Sequence, residues 1–284
     1  MIKEFIQPQL CETSNPFDSE DFIFEKKLDG ERVLFIIDKK KKDLLTNFYF
    51  RIQNRKIYDI TKNYPEFFKL DFLKENVESI ILDGELVINS GKSADYHNAQ
   101  FKRRTHIKSS IKSNFLSKIN PLTYYVFDVL FANGQDLRNS PLSERKKVLF
   151  DAIKENERVK ILEWETGGKN TGTEYYELLL SEGFEGVIAK KWDSKYENKR
   201  CNSWLKIKPI LKMRVEVLAL KETSGWGSHG GLITEFGDVA LETEQKRQEF
   251  LNRFEKGKVF IEVRYQELTP QNKFRFPKLN KFVD

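Results

Sequence analysis

Short runs of β-branched and aromatic residues alternate with amphipathic stretches along the first two hundred positions. VLFIID (33–38), SIILDGELVIN (79–89), LTYYVFDVLF (122–131) and GVIAKKW (186–192) read as strands. PLSERKKVLFDAIKENE (141–157) and TEYYELLLSEG (173–183) carry apolar residues three and four apart, as helices do, and Gly183 is placed to cap the second. The pattern predicts an α+β domain of largely antiparallel sheets with flanking helices over residues 1–209. After Lys212 the pattern changes to strand (RVEVLALKE), glycine-rich loop (TSGWGSHGG), strands (LITEF, DVALE), helix (TEQKRQEFLNRFEKG) and strand (VFIEVRYQEL). A small barrel with one helix, an OB-fold, is expected over 210–284, with Pro209 at the hinge.

Two Asp-Gly pairs fall inside these strand regions. In FEKKLDGERVLF (24–35) and in SIILDGELVIN each reads as strand, tight reversal, strand, which would set Lys27 at the lip of a sheet and Glu85 just after a turn. GWGSHG (225–230) matches GxGxxG, but it lies between two predicted strands and does not open a helix, so the dinucleotide reading lacks its context.

Composition bounds the class. The 284 residues suit one large domain and a smaller one, and 39% hydrophobic content fills real cores. A net charge of +6 is compatible with a polyanionic partner or with solubility alone. No apolar run approaches a bilayer span and the N-terminal residues lack a signal-peptide core, so a soluble intracellular chain with no membrane partner is expected. Cys11 and Cys201 read as free thiols, and His97, His106 and His229 show no zinc-site spacing.

Charged groups inside apolar strands change the picture, because burying a charge is costly unless something pairs with it. Glu85, Glu185 before Gly186, Lys190 at the end of GVIAK, and Lys206 and Lys208 alternating in NSWLKIKP are such groups. The alternation places Lys206 and Lys208 on one face of a strand. Two acids can hold a divalent ion, and lysines on one face can neutralise a phosphate. Lys27 would then be the nucleophile of a phosphoryl-transfer site, since an amine attacks when deprotonated and neighbouring cations favour that form.

KLDGER (27–32) matches the KxDGxR signature of the covalent nucleotidyltransferases: ATP-dependent DNA ligases, some RNA ligases and mRNA capping enzymes. QNRKIYDIT around Arg55, LDGELV around Glu85, YYVFDVLF around Phe127, EGVIAK (185–190) and WLKIK (204–208) follow in the order of that family. DVLFANGQDLRNSPLSERK, KWDSKYENKRCNSWLKIK and RYQELTPQNKFRFPKL most resemble ATP-dependent DNA ligases of the minimal two-domain type.

That resemblance implies a nucleotidyltransferase (adenylation) domain followed by an OB-fold. It implies attack by Lys27 on the α-phosphate of ATP, AMP held on Lys27, and transfer to the 5′-phosphate of nicked duplex DNA. Glu25 and Phe127 would lie in the adenine pocket, Glu85 near ribose and metal, and Glu185 at the catalytic metal, Mg2+ with Mn2+ as the alternative. Lys206 and Lys208 match the α-phosphate pair, Arg32 and Arg55 match contacts to the nucleotide or the nick 5′-phosphate, and Lys190 closes its motif. Lys102, Arg103 and Arg104 in the basic stretch FKRRTHIKSSIK (101–112) are candidate DNA-phosphate contacts. Counting from FRFP, the arginine that usually ends the OB domain falls at Val283; either Lys278 or Lys281 stands in for it, or the chain is shortened. A monomer is expected, cytoplasmic, at a bacterial nucleoid or in the host cell of a virus. The alternatives are an RNA ligase or capping-type enzyme, or a non-catalytic nucleic-acid-binding module.

Overall fold

The computed structural model describes residues 5–43, 47–88, 104, 107, 109–222, 229–265, 267–269 and 271–283. The chain divides into two compact units, Met1–Ile207 and Lys208–Asp284. In chain order the strands of the first unit are β1 (Leu10–Ser14), β2 (Phe22–Lys26), β3 (Glu31–Asp38), β4 (Tyr49–Asn54), β5 (Ser79–Val87), β6 (Thr123–Ala132), β7 (Gln135–Asp136), β8 (Val159–Ile161), β9 (Trp164–Thr166), β10 (Val187–Lys191) and β11 (Arg200–Ile207). They form one sheet in the order β1-β11-β10-β2-β9 and a second in the order β4-β3-β5-β6-β7, with β8 also on β6. Among the described residues, β1 with β11 and β6 with β8 are parallel pairs and the other ladders of these sheets are antiparallel.

The alternation of β3 explains how the second sheet is buried on both faces. Val33, Phe35 and Ile37 point into a core with Phe50, Phe67 and Tyr124, where the Phe35 and Tyr124 rings stack at 3.9 Å. Leu34 and Ile36 point the other way, into a cluster with Ile81, Phe127 and Leu130 that also takes Trp204 from β11 of the first sheet. A strand with no polar face is the expected result of a sheet covered on both sides.

Both Asp-Gly expectations are corrected. The segment between β2 and β3 does not close a hairpin: β2 pairs with β10 and β9, and β3 pairs with β4 and β5, so KLDG crosses from one sheet to the other. SIILDGELV is one continuous strand, β5, whose ladder to β6 slips register next to Asp83-Gly84. Gly84 is there for space. A Cβ on it would lie 2.5 Å from the Tyr125 carbonyl oxygen and 2.5 Å from the Tyr124 ring. Gly84→Ala should therefore lower stability by about 1–3 kcal/mol, read as a lower urea midpoint at constant slope.

Helix α1 (Ser110–Ile119) was not foreseen; its N-cap is Ser109, whose hydroxyl accepts from the Lys112 amide at 3.3 Å. Helix α2 (Leu142–Ala152) buries Leu142, Arg145, Lys146, Leu149 and Ala152. Arg145 is matched on β6 by Asp128, in two bonds of 2.8 Å, and also donates to the Ser140 and Ser194 carbonyls. Helix α3 (Thr171–Ser181) ends as predicted at Gly183, which adopts φ +83°.

In the second unit, RVEVLALKE divides between β12 (Leu211–Glu216) and β13 (Ala219–Lys221). These are followed by β14 (Gly231–Thr234), β15 (Gly237–Ala240), helix α4 (Glu244–Phe254), β16 (Phe260–Tyr265), β17 (Glu267–Leu268), β18 (Phe274–Arg275) and β19 (Lys278–Val283). The sheets are β12-β16-β19, β13-β14-β15 and the pair β17-β18, all antiparallel. Phe250 of α4 fills a core with Val215, Leu232, Val239 and Ile261. Residues 225–228 of the GWGSHG stretch lie outside the described residues.

Candidate active site

The crossing of KLDGER between the sheets places its side chains in a cleft of about 650 Å³ within the first unit, a size suited to a small-molecule ligand. Glu25, Lys27, Arg32, Arg55, Glu85, Phe127, Lys190 and Lys206 all line it, together with Cys11 and Trp204. The ladders explain the convergence. β2 sets Glu25 opposite Ile188 and Lys26 opposite Val187, and the Lys27 amide donates to the Gly186 carbonyl at 2.9 Å. That register brings Glu185 to the Lys27 amine, and the two side chains form an ion pair. β11 sets Lys206 opposite Ile188 on the other side of β10. From the second sheet, β3 and β5 place Arg32 opposite Glu85.

The electrostatics are uneven. Burial pushes the Glu85 carboxyl up to about 8, against the opposing pull of Lys27 and Arg32. Glu85 lines the cleft and Glu185 meets it through the Lys27 amine, so the two carboxylates are the acids that could face a divalent cation there. Among the described residues no three acid, histidine or cysteine groups cluster tightly enough to hold a metal by themselves. Glu85 and Glu185 fit a cation whose remaining ligands are phosphate and water oxygens, as is usual for Mg2+.

Arg32 is gripped from behind. Its guanidinium makes two bonds to Asp83, at 3.0 and 2.6 Å, and one to the Gln9 carbonyl at 2.5 Å, while the Tyr196 hydroxyl donates to Asp83 at 2.7 Å. Phe127 and Trp204 meet edge to face at 5.9 Å, and the Lys190 ammonium lies 3.9 and 4.1 Å from their ring centroids. Arg55 stands exposed at the mouth of the cleft, on a turn in which Ile57 adopts φ +68°. That is an unfavourable region for a β-branched residue. The turn is fixed by Asn54, whose side-chain oxygen accepts from the Lys56 and Tyr58 amides at 3.0 Å each.

Two expectations change. Arg104 is fully buried, paired with Glu66, bonded to the Ser113 carbonyl and set against the Tyr64 ring, so it braces α1 and does not reach DNA. Lys102 and Arg103 lie outside the described residues. β11 ends at Ile207, so the strand that carries Lys206 stops one residue short of Lys208, which precedes Pro209 and falls in the second unit. Cys11 and Cys201 are free thiols, and burial pushes the Cys11 thiol up. Sequence reasoning missed Trp204, Asp83, Tyr196 and Lys146. For Lys146 a signal existed: Leu142, Arg145, Lys146 and Leu149 follow helical spacing, which puts two cations on the buried stripe.

Residues 1–208 match the family described as ATP dependent DNA ligase domain, and the chain belongs to that family. It is 31% identical over 208 residues to the SPbeta prophage-derived DNA ligase-like protein LigB of Bacillus subtilis (strain 168), covering 72% of this chain and 67% of that one. It is 30% identical over 252 residues to a DNA ligase of Thermococcus fumicolans, covering 87% of this chain and 42% of the relative. The chain therefore spans under half the length of the Thermococcus protein. A structure from a structure–function analysis of Lig E DNA ligases superposes with a TM-score of 0.68 at 18% identity, over 97% of this chain and 98% of that one. This last likeness speaks for the fold. The family is one of ATP-dependent enzymes, and among the described residues no helix is long and apolar enough to cross a membrane.

Proposed function

We propose that the chain seals 5′-phosphate/3′-hydroxyl nicks in duplex DNA, using ATP and acting as a monomer in the cytoplasm. The observation that carries this reading is the meeting of Lys27, ion-paired to Glu185, with Glu85 and Lys206 around one cleft that also offers the Phe127 ring and the Glu25 carboxylate. The second unit is read as an OB-fold, on the strength of its antiparallel sheets and single helix.

In the first step the Lys27 amine gives up its proton towards Glu185, its contact partner, and attacks the α-phosphorus of ATP. An N–P bond forms and the bond to pyrophosphate breaks. Lys206 faces the developing charge on the α-phosphoryl oxygens, and Phe127 and Glu25 hold the base. Glu85 and Glu185 would hold a divalent cation, which would supply positive field at the phosphates. The nick 5′-phosphate then displaces Lys27 from AMP, and the 3′-hydroxyl displaces AMP to close the phosphodiester. Each step puts negative charge on a phosphoryl group, so fixed cations and positioning account for the catalysis. Arg55, exposed at the mouth, is read as a contact to the nucleotide or the nick 5′-phosphate.

The test is sealing of a singly nicked duplex whose two strands are each DNA or RNA, with Mg2+ or Mn2+ and ATP, GTP, NAD or no nucleotide. Sealing of the all-DNA nick with ATP is expected. Sealing confined to RNA strands, or none by folded protein, would reject the reading. Lys102 and Arg103 are assigned to DNA phosphates: neutralising both should reduce the slope of log affinity against log salt by about 1.8, and an unchanged slope would remove them from the interface.

A further inference from the structure

Glu25 forms part of the cleft wall, yet both its oxygens are engaged from the protein side. Oε1 takes the Lys146 ammonium at 2.6 Å and Oε2 takes the Lys190 ammonium at 2.7 Å, with all three side chains 1–2% exposed. Lys190 lines the cleft, clamped between the Phe127 and Trp204 rings. Lys146 does not line it: it reaches Glu25 from α2 behind the wall, with its ammonium 4.2 Å from the Trp164 ring centroid. One lysine would balance the charge of Glu25. The second is a surplus buried cation, and burial lowers its affinity for a proton.

A buried surplus charge is explained if it fixes the carboxylate. An ionised carboxylate has about four acceptor sites. With one ammonium on each oxygen, its plane is set and the remaining sites are directed in a fixed way at the cleft. Purine nucleotides differ where such a group can read them: adenine carries the N6 amine, a donor, where guanine carries O6, an acceptor. A held carboxylate accepts from the first and repels the second.

We propose that Lys146 is a positioning residue that sets the choice of adenine over guanine nucleotides by holding Glu25. The inference rests on the reading of the cleft as the site where Lys27 is nucleotidylated. Its test is transfer of radiolabel from α-labelled ATP or GTP to the full chain, as wild type, Lys146→Met and Lys146→Arg, over a range of nucleotide concentrations, with thermal unfolding measured in parallel. Lys146→Met should fold with equal or higher stability, since it removes a buried charge that Lys190 leaves unneeded for balance. It should raise KM for ATP and reduce the ATP-to-GTP ratio of kcat/KM by about tenfold or more. Lys146→Arg should restore most of the ratio. Should Lys146→Met fail to fold, Lys146→Gln carries the same expectation. A folded variant with an unchanged ratio, or with a lower kcat at unchanged KM, would overturn the role. A wild type that takes no label from either nucleotide would instead defeat the proposed function itself, and would be seen before any variant is compared.

Discussion

Lys27→Ala and Lys27→Arg should both lose covalent labelling by ATP and sealing of unmodified nicks, by about 10⁴-fold or more. The alanine variant has no nucleophile. The arginine variant is the more informative, because it keeps the positive charge beside Glu185 while its guanidinium stays protonated and offers no lone pair to phosphorus. If Lys27 merely attracted phosphate, arginine would preserve much of the activity. Labelling that survives in Lys27→Arg would move the nucleophile elsewhere in the cleft, where Lys26, Lys56, Lys190 and Lys206 also carry amines.

The largest stability effect is expected at Asp128 and Arg145. Both side chains are fully buried, and the guanidinium makes two bonds to Asp128 and one each to the Ser140 and Ser194 carbonyls. Asp128→Leu leaves a guanidinium in the interior with no counter-charge, at a cost of about 3–5 kcal/mol. Replacing both members, Asp128→Leu with Arg145→Met, removes the stranded charge and should recover a large part of that loss. Denaturant unfolding of the two single variants and the double variant decides it; additive losses would show that packing of α2, not charge pairing, holds the helix on β6. Because Lys146 follows Arg145 on the same buried face, the single variant should also disturb Glu25.

Much of the site was legible because strand chemistry and motif order agree. Lys27, Glu85 and Lys206 were placed at one site from charges in apolar strands, and the cleft holds all three. The strands themselves were found, but their partners were not. An Asp-Gly pair looks the same in a hairpin, in a crossing between sheets and in the middle of a strand. What distinguishes the last case at Gly84 is the Tyr124 ring and Tyr125 carbonyl, contributed from about forty residues away. Arg104 misled because it belongs to a basic cluster. Its burial comes from Glu66, whose match to it is a tertiary fact with no local signal. Lys146 was overlooked for the opposite reason: a lysine in a helix is ordinarily solvent-facing, and only its spacing with Leu142 and Leu149 indicated otherwise.

The strand that leads into Lys27, β2, has consequences for how the cleft is assembled. β2 lies between β10 and β9, and β1 pairs with β11, so among the described residues both strands near the N-terminus find their neighbours within 164–207. Such distant pairings close slowly and late. During synthesis β2 has no partner strand until β9 and then β10 have been made, whereas β3, β4 and β5 can pair as soon as they emerge. A nascent chain thus carries Lys27 long before Glu185 and the strands beside it exist, and the cleft around it is complete only when the last strand of the first unit is in place.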